Sequence, residues 1–236
     1  MLDHIAANLH SVRERIQAAC RRSNRDPDAV TLIAVSKTFG ADHVRAAHAA
    51  GQIDFGENKV QEALQKIDAT ADIPLRWHLI GHLQTNKAKK AAAAFPAIHS
   101  VDSLELLERI DAAAMEAGTA PELLVQVDLA GEATKFGAIE DEAREIVARA
   151  LDCRAARLAG LMVLPPWSDD PEAARPFFER LRRLRDRWVA EGLPAERLQQ
   201  LSMGMSHDFE AAIEEGSTMV RVGTAIFGKR TPPVRA

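Results

Sequence analysis

Tyrosine is missing from the 236-residue sequence altogether, and aromatic residues make up only 5% of it. Cysteine occurs twice, at Cys20 and Cys153, far apart and in no CxxC spacing. A disulfide framework or thiolate zinc site is therefore not expected, and both read as structural thiols. The eight histidines fall into no HExxH or other paired-ligand spacing, so no metal is expected. No apolar run approaches the roughly 18–20 residues of a membrane span. The opening Met1-Leu2-Asp3-His4-Ile5 lacks the basic segment and apolar stretch of a signal peptide, which makes a cytoplasmic location with no membrane partner the expectation. Excess positive charge is lacking too: 30 Lys and Arg against 34 Asp and Glu leave a net charge of −4. A mildly acidic chain is a poor nucleic-acid binder. The basic run Arg180-Leu181-Arg182-Arg183-Leu184-Arg185 reads as the solvated face of a helix with Leu181, Leu184 and Trp188 turned inward.

What is present is a regular alternation. Short β-rich runs are expected near residues 31–36, 53–56, 77–81, 97–101, 123–129, 158–163, 199–203 and 219–227. The fifth, around Leu123-Leu124-Val125-Gln126-Val127, is mostly apolar, as a parallel strand covered on both faces must be. Helical patterns fill the gaps. A long leading helix over residues 2–23 places Ile5, Leu9, Val12, Ile16 and Ala19 three and four apart. Further helices are expected over 42–50, 58–69, 86–94, 103–117, 141–151, 171–190 and 209–215, with Gly51, Gly118 and Gly192 just past helix ends. Eight strands, each followed by a helix except the last, predict an α/β fold: a (β/α)8 TIM barrel with an extra N-terminal helix, residues 1–236 forming one domain. A doubly wound open sheet would carry a glycine-rich fingerprint after the first strand. The residues there are Val35-Ser36-Lys37-Thr38-Phe39-Gly40, with no GxGxxG.

Ligand chemistry in such a barrel gathers where the strands end. Lys37 ends the first strand; its ammonium must be paired, shifted towards neutral or used covalently, although alone it would pass for a surface lysine. The last strand changes the balance. Arg221 stands inside the otherwise apolar Val220-Arg221-Val222, and a fixed cation there needs an acceptor such as a ring nitrogen or a carboxylate. Gly223 and Thr224 follow, able to offer N–H groups to a phosphate. Leu201-Ser202-Met203-Gly204-Met205-Ser206-His207-Asp208 leads from the seventh strand into a helix start that favours an anion. A phosphate site after strands seven and eight recurs in this fold. Phe55-Gly56-Glu57-Asn58, the His78 segment and Gly160-Leu161-Met162 supply the remaining strand ends. His78 is given a supporting role. Met162 is either core packing or a contact for a flat ring. Asp102 and Asp128 cap loops or helices.

Several of these segments, in this order, carry a specific resemblance. Val35-Ser36-Lys37, Phe55-Gly56-Glu57-Asn58-Lys59-Val60-Gln61-Glu62, Trp77-His78-Leu79-Ile80-Gly81-His82-Leu83-Gln84-Thr85-Asn86-Lys87, His99-Ser100-Val101-Asp102-Ser103, Leu201-Ser202-Met203-Gly204-Met205-Ser206 and Arg221-Val222-Gly223-Thr224-Ala225-Ile226-Phe227-Gly228 resemble the pyridoxal phosphate homeostasis protein family over nearly the whole chain. The resemblance implies a type III pyridoxal phosphate fold, similar to the N-terminal barrel of alanine racemase. It implies pyridoxal 5'-phosphate held as a Schiff base on Lys37, with Arg221 facing the ring nitrogen and Ser206, Gly223 and Thr224 on the phosphate. Asn58, His78 and Met162 would line the pocket. Lys135-Phe136-Gly137 resembles the family's loop after strand five, with Phe136 where a small residue is expected.

A barrel with this cofactor could also be a small amino-acid racemase or lyase. Racemases of this type resemble a barrel plus a β-domain that supplies a tyrosine across a dimer interface. This sequence has no tyrosine and is expected to hold no second domain. An arginine cannot readily donate a full proton to the ring, which leaves a modest electron sink. The expectation is therefore a non-catalytic carrier concerned with vitamin B6 and amino-acid homeostasis. It would act as a monomer and deliver the cofactor to apo forms of pyridoxal phosphate enzymes. A phosphate-sugar barrel enzyme without the cofactor ranks below both readings.

Overall fold

A computed structural model describes residues 2–131 and 136–228. Lys135 and the tail at 231–236 lie outside the described residues. The chain runs α1 (Asp3–Arg22), β1 (Thr31–Val35), α2 (Ala41–Ala49), β2 (Asp54–Glu57), α3 (Val60–Ala69), β3 (Arg76–Leu79), α4 (Ala88–Ala94), β4 (Ala97–Val101), α5 (Leu104–Ala117), β5 (Glu122–Gln126), α6 (Glu140–Ala150), β6 (Arg157–Met162), α7 (Arg175–Ala190), β7 (Gln200–Met205), α8 (Phe209–Glu214), β8 (Met219–Val222) and α9 (Thr224–Phe227). The strands pair in parallel, each with its sequence neighbour, and β8 closes on β1 with Ile33 opposite Arg221. The expected (β/α)8 barrel is the observed fold.

The register decides which residues face the lumen. Val35 pairs with Gly56, and Gly56 with His78. Alternation then turns Ile33, Val35 and Lys37 inward from β1, His78 and Ile80 from β3, and Met219, Arg221 and Gly223 from β8. The other apolar residues of these three strands face outward and pack under the helices. The leading helix buries Ile5, Leu9, Val12, Ile16 and Ala19, all at the spacings the sequence predicts. It packs on α8, α9 and α2, and so occupies the stretch of the outer ring where a full-length helix after β8 would lie. Leu181, Leu184 and Trp188 of α7 are buried, while its arginines pair with surface acids, among them Arg175 with Glu214 and Glu215 and Arg182 with Glu215.

Close strand contact fixes Gly160: a Cβ there would sit 1.8 Å from the Gln200 carbonyl oxygen. The expected last strand, 219–227, is too long. It stops at Val222, and residues 224–227 turn into α9, with the Ile226 and Phe227 N–H groups donating to the Gly223 oxygen. The apolar run Ala225-Ile226-Phe227 has no periodicity that separates a strand from a short buried helix. Its burial beneath α1, where Asn8 donates to the Ile226 carbonyl at 2.8 Å, decides the matter. No helix among the described residues is long and apolar enough to cross a membrane.

Candidate functional site

The C-terminal ends of the strands enclose a cavity of about 520 Å³, within the roughly 300–1,000 Å³ range of small-molecule sites. Lys37, Asn58, Ser206, Arg221, Gly223 and Thr224 all line it. These come from the ends of β1, β2, β7 and β8, widely separated in sequence. Ile80, Leu164 and Trp167 add apolar wall. Trp167 is 71% exposed and its ring lies 5.2 Å from that of His207 at the rim.

The turn that carries Lys37 is clamped from behind. Thr38 adopts a left-handed φ of 72°, a conformation that costs a non-glycine residue on the order of 1 kcal/mol or more. Three bonds around it hold the turn. The Thr38 N–H donates to Glu62 at 2.6 Å, the Ser36 hydroxyl donates to Glu57 Oε1 at 2.6 Å, and the Ser36 carbonyl accepts from Lys66 at 2.8 Å. Lys66 completes its three donors on Glu57 Oε1 at 2.6 Å and Glu62 Oε1 at 2.9 Å. Glu57 is fully buried, and its Oε2 has no hydrogen-bond partner among the described residues. Burial pushes its carboxyl above the usual range despite the bonds from Lys66 and Ser36. At Glu62 desolvation is outweighed by the bonds from Lys66 and the Thr38 N–H, and the carboxyl is held low.

Across the cavity, the Gly223 N–H donates to Ser206 Oγ at 3.0 Å, and the Thr224 hydroxyl lies 3.5 Å from the same oxygen. Two hydroxyls and a backbone N–H thus converge where β7 and β8 end. A Cβ on Gly223 would meet the Val35 carbonyl oxygen at 3.2 Å, tighter than ordinary contact, so glycine lets the strand sit this close to β1 without pressing on it. Upstream, Gly204 has a φ of 93°, and a Cβ there would lie 2.6 Å from that of Ala212. This tight bend turns Ser206 towards Gly223. The donor set, unlike any in a metal site, suits a phosphate ester.

Arg221 forms the cavity floor and is 3% exposed. It donates to Ser202 Oγ at 2.5 Å and to the Val163 carbonyl at 3.0 Å. Burial lowers its pKa to about 10, partly offset by the charge of Asp208. Asp208 is itself pushed up by burial, against a bond from the Met205 N–H.

Two expected pocket residues are not on the cavity wall. His78 and Met162 are fully buried, each two residues deeper than the lining residues Ile80 and Leu164. Alternation puts all four on the inner side, but the lower pair belongs to the layer beneath. Met162 packs with Ile33, Leu124 and Met219. His78 bonds His99 and Asp54. Asp128 caps its own loop, accepting from the Ala130 and Gly131 N–H groups. Asp102 pairs with His82 at 3.2 Å, and Ser103, not Asp102, caps α5. Phe136 stacks on the His82 ring at 3.6 Å, which gives the unexpected aromatic a partner. The role of Lys66 has no local signal in the sequence: it lies four residues after Glu62 in α3, and only the fold buries it against Glu57. Trp167 follows Pro165-Pro166 in the loop after β6, and nothing in that local sequence marks it as cavity wall.

A family model described as alanine racemase, N-terminal domain, matches residues 2–231. The chain is 44% identical over 227 residues to the pyridoxal phosphate homeostasis protein of Pseudomonas aeruginosa, covering 96% of each chain. It is 42% identical over 222 residues to that of Aquifex aeolicus, covering 94% of this chain and 96% of the relative. Among solved structures, PipY of Synechococcus elongatus with pyridoxal phosphate bound superposes with a TM-score of 0.84 at 40% identity, over 95% of this chain and all of the other. An alanine racemase from Streptomyces coelicolor gives a TM-score of 0.75 at 22% identity, over 97% of this chain and 59% of the racemase. That likeness is one of fold.

Proposed function

The chain belongs to the pyridoxal phosphate homeostasis protein family, built on the alanine racemase N-terminal domain, and from that premise we propose that it holds pyridoxal 5'-phosphate on Lys37 and serves vitamin B6 and amino-acid homeostasis. The observation that carries this reading is the single cavity lined by the Lys37 side chain, the Arg221 guanidinium and the Ser206, Gly223 and Thr224 donors. When bound, the cofactor supplies an aldehyde that condenses reversibly with an amine and releases water.

The protein's own residues then divide the work. Lys37 presents the amine from a turn that the Glu57–Lys66–Glu62 cluster keeps in place. Ser206, Gly223 and Thr224 bind the phosphate dianion through neutral donors. Arg221 would direct N–H groups at the ring nitrogen; as a donor-only cation it would orient the ring and retain its own proton. Asn58 forms part of the wall. His78 and Met162 support the floor from the layer below. A reversible covalent hold on a reactive aldehyde is a means of buffering it.

Enzymes share the fold, but we read this chain as a carrier without turnover. It has no tyrosine to act as the opposing acid, and Arg221 leaves the ring a weak electron sink. In this reading residues 1–236 act as one barrel unit, a cytoplasmic monomer that passes the cofactor to apo-enzymes and uses neither nucleic acid nor membrane as a partner.

The test is spectroscopic. Adding pyridoxal phosphate to the purified protein is expected to give an absorbance band near the visible edge. Borohydride should then fix one equivalent of cofactor mass on the peptide that contains Lys37. Lys37→Ala is expected to lose both. A band and a fixed mass that persist in Lys37→Ala would refute the assignment.

A further inference from the structure

The lumen beneath the cavity is not filled with branched apolar side chains alone. A continuous polar chain crosses it. Arg221 on β8 donates to Ser202 Oγ on β7 at 2.5 Å. Ser202 Oγ lies 2.8 Å from His99 Nδ1 on β4. His99 Nε2 lies 3.0 Å from His78 Nδ1 on β3. His78 Nε2 lies 2.9 Å from Asp54 Oδ1, at the first residue of β2. Ser202, His99 and His78 are fully buried, and only Asp54 reaches solvent, at the opposite face of the barrel from Lys37. Buried polar groups of this kind are costly unless every one is satisfied.

The two ends of the chain fix its direction. A guanidinium only donates, and a carboxylate only accepts. Ser202 Oγ accepts from Arg221 and has one hydrogen left to give to His99 Nδ1. His99 then carries its proton on Nε2 and donates to His78 Nδ1. His78 carries its proton on Nε2 and donates to Asp54. With one proton on each imidazole, each group has one role. A proton on His99 is opposed by desolvation first, then by His78, by Arg221, and by Arg76 at the start of β3, where Arg76 pairs with Glu122; its pKa is held well below the usual value. Asp208 is the anion facing the Arg221 end.

We propose that Ser202, His99, His78 and Asp54 are positioning residues for Arg221, forming a one-way hydrogen-bond chain that pins the guanidinium at the cavity floor from the far face of the barrel. The role of Arg221 towards the cofactor rests on the function proposed above. The chain also answers why this barrel stacks two histidines where apolar packing would be cheaper. Ser202 and the Val163 carbonyl take two of the five guanidinium N–H groups and set its plane.

The experiment uses the full chain with histidine labelled with 15N. Without cofactor, long-range 1H–15N correlation is expected to show His78 and His99 each as the single Nε2–H tautomer. His99 should stay neutral while solvent-exposed histidines titrate. Ser202→Ala is expected to mix the His99 tautomers, to weaken pyridoxal phosphate binding about tenfold and to move the absorbance band. Ser202→Thr, which keeps the hydroxyl, should restore all three. If Ser202→Ala does not fold, Asp54→Ala at the solvent end carries the same test, with loss of the single tautomer at His78 and weaker binding expected. An Nδ1–H tautomer at either histidine overturns the proposal. So does unchanged binding and unchanged band position in the folded variant. Failure of the wild-type protein to bind pyridoxal phosphate would instead sink the functional reading, and the tautomers would still report on the chain itself.

Discussion

Replacing Lys66 with methionine removes a buried ammonium and keeps the volume of its stem. Three acceptors lose their shared donor: the Ser36 carbonyl, Glu57 Oε1 and Glu62 Oε1. Breaking a buried ion pair from one side costs about 3–5 kcal/mol at neutral pH. For a chain of this length that corresponds to a fall in Tm of about 10 °C. The pH dependence makes the test specific. Glu57 already has a raised carboxyl pKa in the folded protein, so its charge costs stability as pH rises through that value and costs nothing below the ordinary carboxylate range. Without Lys66 the pKa climbs further, and the penalty becomes larger and extends to higher pH. Glu62 acts in the same sense. Its lowered pKa contributes stability above the ordinary range that is lost as pH falls through the folded value, and Lys66→Met removes part of that contribution. The deficit of Lys66→Met against wild type should therefore be small near pH 4 and full near pH 7. Urea midpoints at the two pH values measure it. Glu57→Gln in the Lys66→Met background should recover much of the loss at pH 7, because no charge is then left buried. An equal deficit at both pH values, or a double variant no more stable than Lys66→Met, would refute the reasoning. The Lys37 turn should also loosen, so cofactor attachment to Lys66→Met should slow at pH 7.

Gly160→Ala is expected to prevent closure between β6 and β7, because the new methyl would sit 1.8 Å from the Gln200 carbonyl oxygen; a circular-dichroism melt near that of wild type would contradict this. Ser206→Ala should weaken pyridoxal phosphate binding about tenfold with little change in Tm, and inorganic phosphate should compete less well against the cofactor in that variant. Incubation with amino acids in heavy water should show no exchange of the α-proton by NMR; exchange that depends on Lys37 would establish turnover. Light scattering should give the mass of one 25.8 kDa chain.

The helices were legible because burial in this fold is one-sided. Ile5, Leu9, Val12, Ile16 and Ala19 repeat at helical spacing, and each lies buried. Strand ends were less so: β8 stops five residues earlier than its apolar run suggests, since Ile226 and Phe227 are as apolar in a short helix as in a strand. Arg221 could be picked out locally, as a cation inside an apolar strand; Lys37 alone passed for a surface lysine, and the phosphate roles of Ser206 and Gly223 came through the family resemblance. His78 and Met162 could not be placed so readily. The sequence says which side of a strand a residue takes, but its depth in the lumen depends on the stagger of neighbouring strands.

The order and period of hydrophobic residues determined by themselves that the chain alternates strand and helix eight times, because each element must bury one face. They also put a lysine at one end of the chain and a phosphate-suited turn at the other. Only the closed barrel decided that β8 pairs with β1, which brings those ends to one cavity. It alone made Lys66 a buried clamp and joined Asp54 to Arg221 through three side chains. Such contacts depend on shear and register between strands far apart in sequence, quantities that no local pattern of residues encodes.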